Sequence, residues 1–124
     1  MATAKVWVGF DLGGTKMQVK VYDDGFKELG GKRRKTKGHE GMKAGLARVV
    51  STIEEVLAEL GVPRERVAGI GVGCPGPLDL DAGVILSAPN LGWKKAPVKK
   101  TLEAAFGCPA AIVNDVDSGT YGEF

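Results

Sequence analysis

The feature that most constrains the fold is a pair of glycines between two strand-like runs near the start of the chain. Residues 5–10 form a short β-branched and aromatic run typical of a buried strand, and residues 16–22 alternate polar and apolar side chains as a half-buried strand does. Because only a few residues separate the two runs, we expect an antiparallel hairpin that turns on Gly13 and Gly14. The fold therefore begins with a β-hairpin.

Beyond the hairpin, the chain alternates between helical and strand-like patterns. Residues 42–60 carry apolar side chains at three- and four-residue spacing, which predicts an amphipathic helix, and Gly61 supplies its stop signal. The other predicted elements are a weaker strand over 26–36, buried strands over 67–72 and 110–113, and a shorter helix over 97–106. Hairpin strands followed by alternating helices and strands predict an α/β fold with a mixed sheet covered by helices.

Composition excludes several classes of protein. The 124 residues are 44% hydrophobic and 26% charged, as in one globular domain, and a net charge of +2 is too small to indicate a nucleic-acid or membrane partner. Cys74 and Cys108 are too few for a disulfide framework or a structural zinc site, and free thiols suit a reducing, cytoplasmic compartment. The first ten residues lack the pattern of a signal peptide, and the single histidine, His39, has no metal-ligand spacing around it.

The first stretch that could carry chemistry is Asp11-Leu12-Gly13-Gly14-Thr15-Lys16, directly after a buried strand. Glycines remove side chains, so successive backbone N–H groups can converge on phosphate oxygens, while Thr15 adds a hydroxyl and Lys16 a cation. Asp11 could hold Mg²⁺, often through water. On the two glycines alone, an ordinary hairpin turn is the favoured interpretation.

Two further loops could contact a ligand. In Gly69–Pro77, alternating glycines weaken a strand before a rigid Pro-Gly-Pro loop at its carboxyl end, where ligands bind in open α/β sheets. Asn90 offers both donors and an acceptor, as a pair of sugar hydroxyls requires, although an asparagine in a plain turn is the favoured interpretation of this segment taken alone. For the Gly69–Pro77 loop the structural and the functional interpretation both stay open.

The last stretch is Val113-Asn114-Asp115, where a buried strand gives way to the start of a predicted helix. Asp115 could accept the proton of an alcohol that Asn114 orients. Helix caps are commoner than catalytic bases, so capping by Asn114 or Asp115 is the favoured interpretation of this stretch taken alone.

Taken in order, these stretches resemble the N-terminal half of a ROK-family sugar kinase, within the actin/hexokinase/Hsp70 superfamily. The matching segments are Asp11–Lys16, Gly71–Asp79, Ala88–Trp93, Asn114-Asp115 and Gly122-Glu123. The resemblance implies a ribonuclease-H-like, actin-like ATPase lobe over residues 1–124, with the second lobe absent from this chain. It also implies a cytoplasmic, ATP- and Mg²⁺-dependent enzyme that forms a homodimer and phosphorylates a hexose, with glucose as the default substrate.

The resemblance assigns roles to individual residues. Gly13, Gly14, Thr15 and Lys16 would bind the phosphates of ATP, and Asp11 would help to place Mg²⁺. The residues that would line the sugar site are Gly76, Asn90, Asn114 and Asp115. Among these, Asp115 would be the general base that takes the proton from the primary hydroxyl of the sugar.

The sequence departs from the family pattern in two respects. The family often has Asn two residues after its catalytic Asp, where this chain has Asp117, and the sugar motif, zinc cysteines and adenosine pocket of the second lobe have no counterpart before Phe124. We therefore expect these residues alone to bind sugar weakly and to turn over poorly. The alternatives are a sugar-sensing repressor and an ATPase-only protein. A repressor needs a DNA-binding segment ahead of the lobe, and none precedes the strand that begins by Lys5. The donor, ATP or polyphosphate, stays open.

Overall fold

A five-stranded mixed sheet organises the chain in the computed structural model, which describes residues 5–37, 40–88 and 92–114. The elements are β1 (Val6–Leu12), β2 (Lys16–Tyr22), β3 (Glu28–Lys35), α1 (Met42–Leu60), a 3₁₀ turn (Arg64–Arg66), β4 (Val67–Cys74), β5 (Leu78–Asp79), β6 (Val84–Ala88), β7 (Trp93–Ala96), α2 (Val98–Phe106) and β8 (Ala110–Asn114). The α/β class and the opening hairpin predicted from the sequence are confirmed.

The strands of the large sheet lie in the order β3-β2-β1-β4-β8. The first three pair antiparallel, whereas β4 runs parallel to β1 and β8 runs parallel to β4. The connections to both parallel strands contain helices, as parallel pairing requires. As a result β1, β4 and β8 all end at the same edge of the sheet.

Helix α1 covers one face of this sheet because its apolar stripe matches the buried positions of the strands. Its side chains at Val49, Ile53 and Val56 are at most 1% exposed and belong to one core with the alternate residues of the strands. The helix ends at Gly61, which adopts the left-handed conformation (φ 70°) that glycine accommodates without strain. Helix α2 packs on β8 and on α1, so both helices lie on the same face.

A small antiparallel sheet, β5-β6-β7, was not predicted from the sequence. Its strands span only two to five residues, and their burial shows no clean alternation that could mark them as strands. The sheet is joined to the core by Trp93, whose ring lies so close to Gly45 of α1 that an added Cβ would come within 2.0 Å of it. This contact explains a glycine inside α1, near its N-terminal end, where glycine is normally unfavourable.

The strands of the large sheet begin or end at slightly different residues from those predicted. Strand β1 continues through Asp11 and Leu12 because these residues still pair with Gln18 and Met17 of β2, and β4 continues to Cys74. Within the described ranges no helix is long and apolar enough to cross a membrane. The predicted helix start after Asn114 lies outside these ranges, as does His39.

Candidate functional site

The Gly-Gly turn predicted to bind phosphate joins β1 to β2 as a tight loop formed by Gly13, Gly14 and Thr15. The N–H of Gly13 donates to the carbonyl of Lys16 at 2.9 Å. A Cβ added at Gly13 would stand 2.7 Å from that same oxygen, so the closure of the loop requires glycine there. Thr15 and Lys16 are exposed beside the turn, where their hydroxyl and ammonium groups can reach a ligand.

Sequence reasoning missed Thr36, which directly follows β3 and contacts this loop twice. Its N–H donates to the carbonyl of Thr15 at 2.8 Å, and its hydroxyl donates to the carbonyl of Gly13 at 2.8 Å. The side chain is 0% exposed. A threonine after a basic, partly exposed strand carries no sequence signal for this role, because the contact depends on how β3 pairs with β2.

The ends of three parallel strands bring the predicted site residues to one edge of the sheet. In the ladder, Asp11 of β1 lies beside Gly73 of β4, and Gly73 lies beside Val113 of β8. Since neighbouring strands are about 4.8 Å apart, the backbone of Asp11 is about 10 Å from that of Val113. The carboxyl ends of β1, β4 and β8 therefore lie next to one another, together with the loops that follow β1 and β4.

Gly76 and Asn114, both predicted to line a sugar site, are in contact at this edge. The side-chain amide of Asn114 donates to the carbonyl of Gly76 at 3.4 Å. Gly76 has a positive φ of 79°, and an added Cβ would lie 2.0 Å from the carbonyl oxygen of Ser87 in β6. Both the backbone conformation and the close approach of β6 require glycine at this position.

Two predicted site residues, Asn90 and Asp115, lie outside the described residues. Along the chain, Asn90 falls between β6 and β7, which pair at Ala88 and Trp93, and Asp115 directly follows Asn114. The structure thus places Asp11, the Gly13–Lys16 loop, Gly76 and Asn114 at the strand ends. The phosphate, Mg²⁺, sugar and base roles of all the predicted site residues remain predictions.

Beside this edge, the face of the sheet opposite the helices forms a shallow concavity of about 370 Å³. Glycines of β1 and β4 make its floor. The side chains around it include one acid, one base, polar groups and an apolar group: Asp11, Lys20, Gln18, Tyr22 and Val113. The exposed Asp11 thus lies both at the rim of the concavity and near the carboxyl end of β1.

No group of three or more His, Cys, Asp or Glu side chains within the described ranges could hold a metal ion. A single exposed carboxylate, Asp11, is nevertheless compatible with Mg²⁺. This ion keeps several waters and is commonly held by one or two carboxylates together with substrate phosphates. The donor set at the strand ends therefore fits Mg²⁺ that arrives with a nucleotide.

Comparison with known proteins agrees with this architecture. The model of the ROK family matches residues 7–124. Among solved structures, the ROK hexokinase of Thermus thermophilus is 36% identical with a TM-score of 0.80 over 95% of this chain and 38% of its own. The ROK glucokinase of Streptomyces griseus, solved with glucose and AMPPNP, is 25% identical with a TM-score of 0.79 over 95% of this chain and 36% of its own.

Two curated relatives show that kinases and repressors share this sequence pattern. The glucokinase of Streptomyces coelicolor is 28% identical over 117 residues, which cover 94% of this chain and 35% of that enzyme. The xylose repressor of Caldicellulosiruptor bescii is 32% identical over 71 residues, which cover 57% of this chain and 18% of that protein.

The chain belongs to the ROK family, and its fold is that of the actin-like ATPase lobe of ROK sugar kinases. It spans about a third of the length of the kinases that it matches.

Proposed function

We propose that this chain is the N-terminal lobe of a two-lobed sugar kinase that transfers the γ-phosphate of ATP to the primary hydroxyl of a hexose, with glucose as the first substrate to test. The glucokinase and hexokinase relatives support the sugar and the donor. The family resemblance adds a homodimer to the proposal.

The observation that carries this proposal is the common edge of β1, β4 and β8. A glycine loop with an exposed hydroxyl and cation follows β1, and Asn114 at the end of β8 contacts Gly76 in the loop after β4. Phosphoryl transfer depends on an aligned nucleophile and on charge neutralisation at the phosphate, so donor and acceptor sites must adjoin. In this proposal the ends of β1, β4 and β8 would hold the donor and the acceptor side by side.

On the donor side, the backbone of Gly13 and Gly14, the Thr15 hydroxyl and the Lys16 ammonium would bind phosphate oxygens. The tight turn presents backbone N–H groups without side chains in their way. Asp11 would hold Mg²⁺ at the start of this loop, directly or through water. When bound, Mg²⁺ supplies neutralisation of charge on the phosphates.

On the acceptor side, Gly76, Asn90 and Asn114 would position the sugar, and Asp115 would take the proton from its primary hydroxyl. Asp115 would need to be ionised to act as a base, so a strongly raised pKa is not required. In the whole enzyme, closure of the second lobe would exclude water, so that the sugar hydroxyl is phosphorylated in preference to water.

Replacing Asp115 by Asn tests the assigned base. In the two-lobed kinase we expect Asp115→Asn to lower kcat for sugar-dependent ADP release by about 10²- to 10⁴-fold, because the hydroxyl loses its proton acceptor. Sugar affinity, measured by calorimetry, should change little.

Asp117→Asn is the matched control, because it removes a neighbouring carboxylate and introduces the residue that the family often has there. It should keep kcat within a few-fold of the parent enzyme. Equal losses in both variants, or retained activity in Asp115→Asn, would reject the assignment.

The xylose repressor relative favours one competing function, a sugar-sensing repressor without catalysis. ADP release that depends on added hexose separates the two: a kinase shows it, whereas a sensor binds sugar without turnover. Nucleotide hydrolysis that is independent of sugar would instead indicate an ATPase-only protein and would contradict the roles proposed for Gly76 and Asn90.

A further inference from the structure

Thr36 joins strand β3 to the Gly13–Thr15 loop, although it lies outside the loop in sequence. Its N–H bonds to the carbonyl of Thr15 and its hydroxyl to the carbonyl of Gly13, both at 2.8 Å. Two bonds from one residue hold two of the three carbonyls of a short loop. Thr36 itself is fully buried, whereas the loop that accepts its two bonds is partly exposed.

These two bonds fix the direction of the amides in the loop. A peptide unit is planar, and the described peptide bonds are trans, so each N–H points opposite to the carbonyl of the preceding residue. Because the Gly13 carbonyl is drawn toward Thr36, the N–H of Gly14 is directed away from Thr36. The Thr15 carbonyl likewise fixes the N–H of Lys16. Thr36 thus orients N–H groups on the side of the loop opposite to itself.

The position of Thr36 is itself fixed from both sides. Before it, Lys35 pairs with Lys16 in the ladder between β3 and β2. After it, Lys37 adopts a left-handed conformation (φ 53°), which is uncommon for a residue other than glycine and turns the chain away from the sheet. The threonine is held between a strand and a sharp turn, as a residue that orients a loop must be.

We propose that Thr36 is a positioning residue that holds the Gly13–Thr15 loop in the conformation that binds the phosphates of the nucleotide. The inference rests on the proposed function, in which this loop binds ATP. Thr36 touches neither nucleotide nor sugar in this role. It reduces the ordering that the loop must undergo when phosphate binds, so its loss should weaken nucleotide binding and leave sugar binding unchanged.

The test compares Thr36→Val with Thr36→Ser in the two-lobed kinase. Valine keeps the shape and removes the hydroxyl donor, whereas serine restores it. Thr52 provides the control, because it is the other fully buried threonine in the described ranges and its hydroxyl also donates to a backbone carbonyl, that of Arg48 at 2.6 Å. The Thr52 hydroxyl also contacts the sulfur of Met17 in β2 at 3.8 Å. Thr52→Val therefore removes a similar bond within α1 and leaves both bonds from Thr36 to the loop intact.

We expect Thr36→Val to raise the KM for ATP and the Kd for Mg·ADP about tenfold, which corresponds to the free energy of one hydrogen bond. The KM for sugar should stay within twofold. Thr36→Ser should return both nucleotide constants to within about threefold of the parent enzyme. The NMR order parameter of the Gly14 amide, measured without ligand, should fall in Thr36→Val only.

An unchanged Kd for Mg·ADP in Thr36→Val, or an equal rise in Thr52→Val, would overturn the inference while leaving the proposed function intact. A parent protein that binds Mg·ADP through this loop but does not phosphorylate any hexose would contradict the proposed function alone. In that case a tenfold higher Kd for Mg·ADP in Thr36→Val still supports the role of Thr36.

Discussion

The two faces of the five-stranded sheet are built for different purposes. On the face under α1 and α2, alternate positions of β1, β2 and β8 and most inward positions of β4 carry buried apolar side chains that belong to one core, whereas the edge strand β3 contributes none. On the opposite face, the same strands carry Trp7, Asp11, Lys20 and Val113 together with glycines, and Val113 is 52% exposed. One face therefore stabilises the lobe, while the other leaves the strand ends open to a ligand.

This contrast explains how the glycines of β4 are used. Gly69 lies under the ring of Trp7, with an added Cβ only 2.8 Å from the ring, whereas a Cβ at Gly71 would meet nothing within 4 Å. The alternating glycines thus serve two purposes on one face. Gly69 accommodates a neighbouring side chain, and Gly71 helps to form the floor of the concavity.

The largest expected difference between the faces is in stability. Ile53 of α1 is 0% exposed, so Ile53→Ala should lower the free energy of unfolding by about 2–5 kcal/mol through lost burial and a residual cavity. Val113→Ala, on the open face, should cost less than about 1 kcal/mol. Urea unfolding of each variant, followed by tryptophan fluorescence, measures both values. Equal costs would show that something packs over the open face.

The covered face was predictable because burial leaves a periodic signal. Its helix stripe and its strand runs are local patterns, and the observed α1 coincides with the predicted residues 42–60. The small β5-β6-β7 sheet was missed because its strands are short and are held by contacts distant in sequence, such as that between Trp93 and Gly45.

In the candidate site, whose residue roles remain predictions, the sequence gives a signal only where glycine or a polar residue interrupts a strand pattern. Gly13, Gly76 and Asn114 give that signal, and each has a local structural reason to be the residue it is. Thr36 gives none, since its importance comes from the pairing of β3 with β2, which the sequence does not specify.

An intermediate effect is expected at Gly71. Its φ is outside the left-handed region and a Cβ would enter open space, so Gly71→Ala should raise the free energy of unfolding by about 0.4–1 kcal/mol by restricting the unfolded chain. Gly69→Ala is the matched control on the same strand and should instead destabilise, because its Cβ would press on Trp7. Urea midpoints compare the two, and a destabilised Gly71→Ala would contradict an open face.

In the edge strand β3, neighbouring residues face opposite sides of the sheet and differ in their contacts. Lys32 and Arg34 point toward α1, where Lys32 bonds to Glu59 at 2.6 Å and Arg34 bonds to both carboxylate oxygens of Glu55 at 2.6 and 2.5 Å. Hydrogen bonds from Arg34 lower the pKa of Glu55, and the bond to Glu59 raises the pKa of Lys32. Arg33 alternates to the opposite face.

The smallest expected effect is the pH dependence of this edge. Because the pKa of Glu55 is lowered on folding, its ion pair contributes stability above the unfolded value of 4.5, and that contribution is lost as pH falls through the lowered pKa. Arg34→Gln should therefore lower the urea midpoint slightly at pH 7, and the gap from the parent should close as pH falls below 4.5. Arg33→Gln, whose side chain faces away from α1, should show no such closing gap. Added salt should reduce the difference in urea midpoint between Arg34→Gln and the parent, since exposed ion pairs are screened. An identical pH profile for the two variants would show that the ion pairs on the helix-facing side of β3 add no stability.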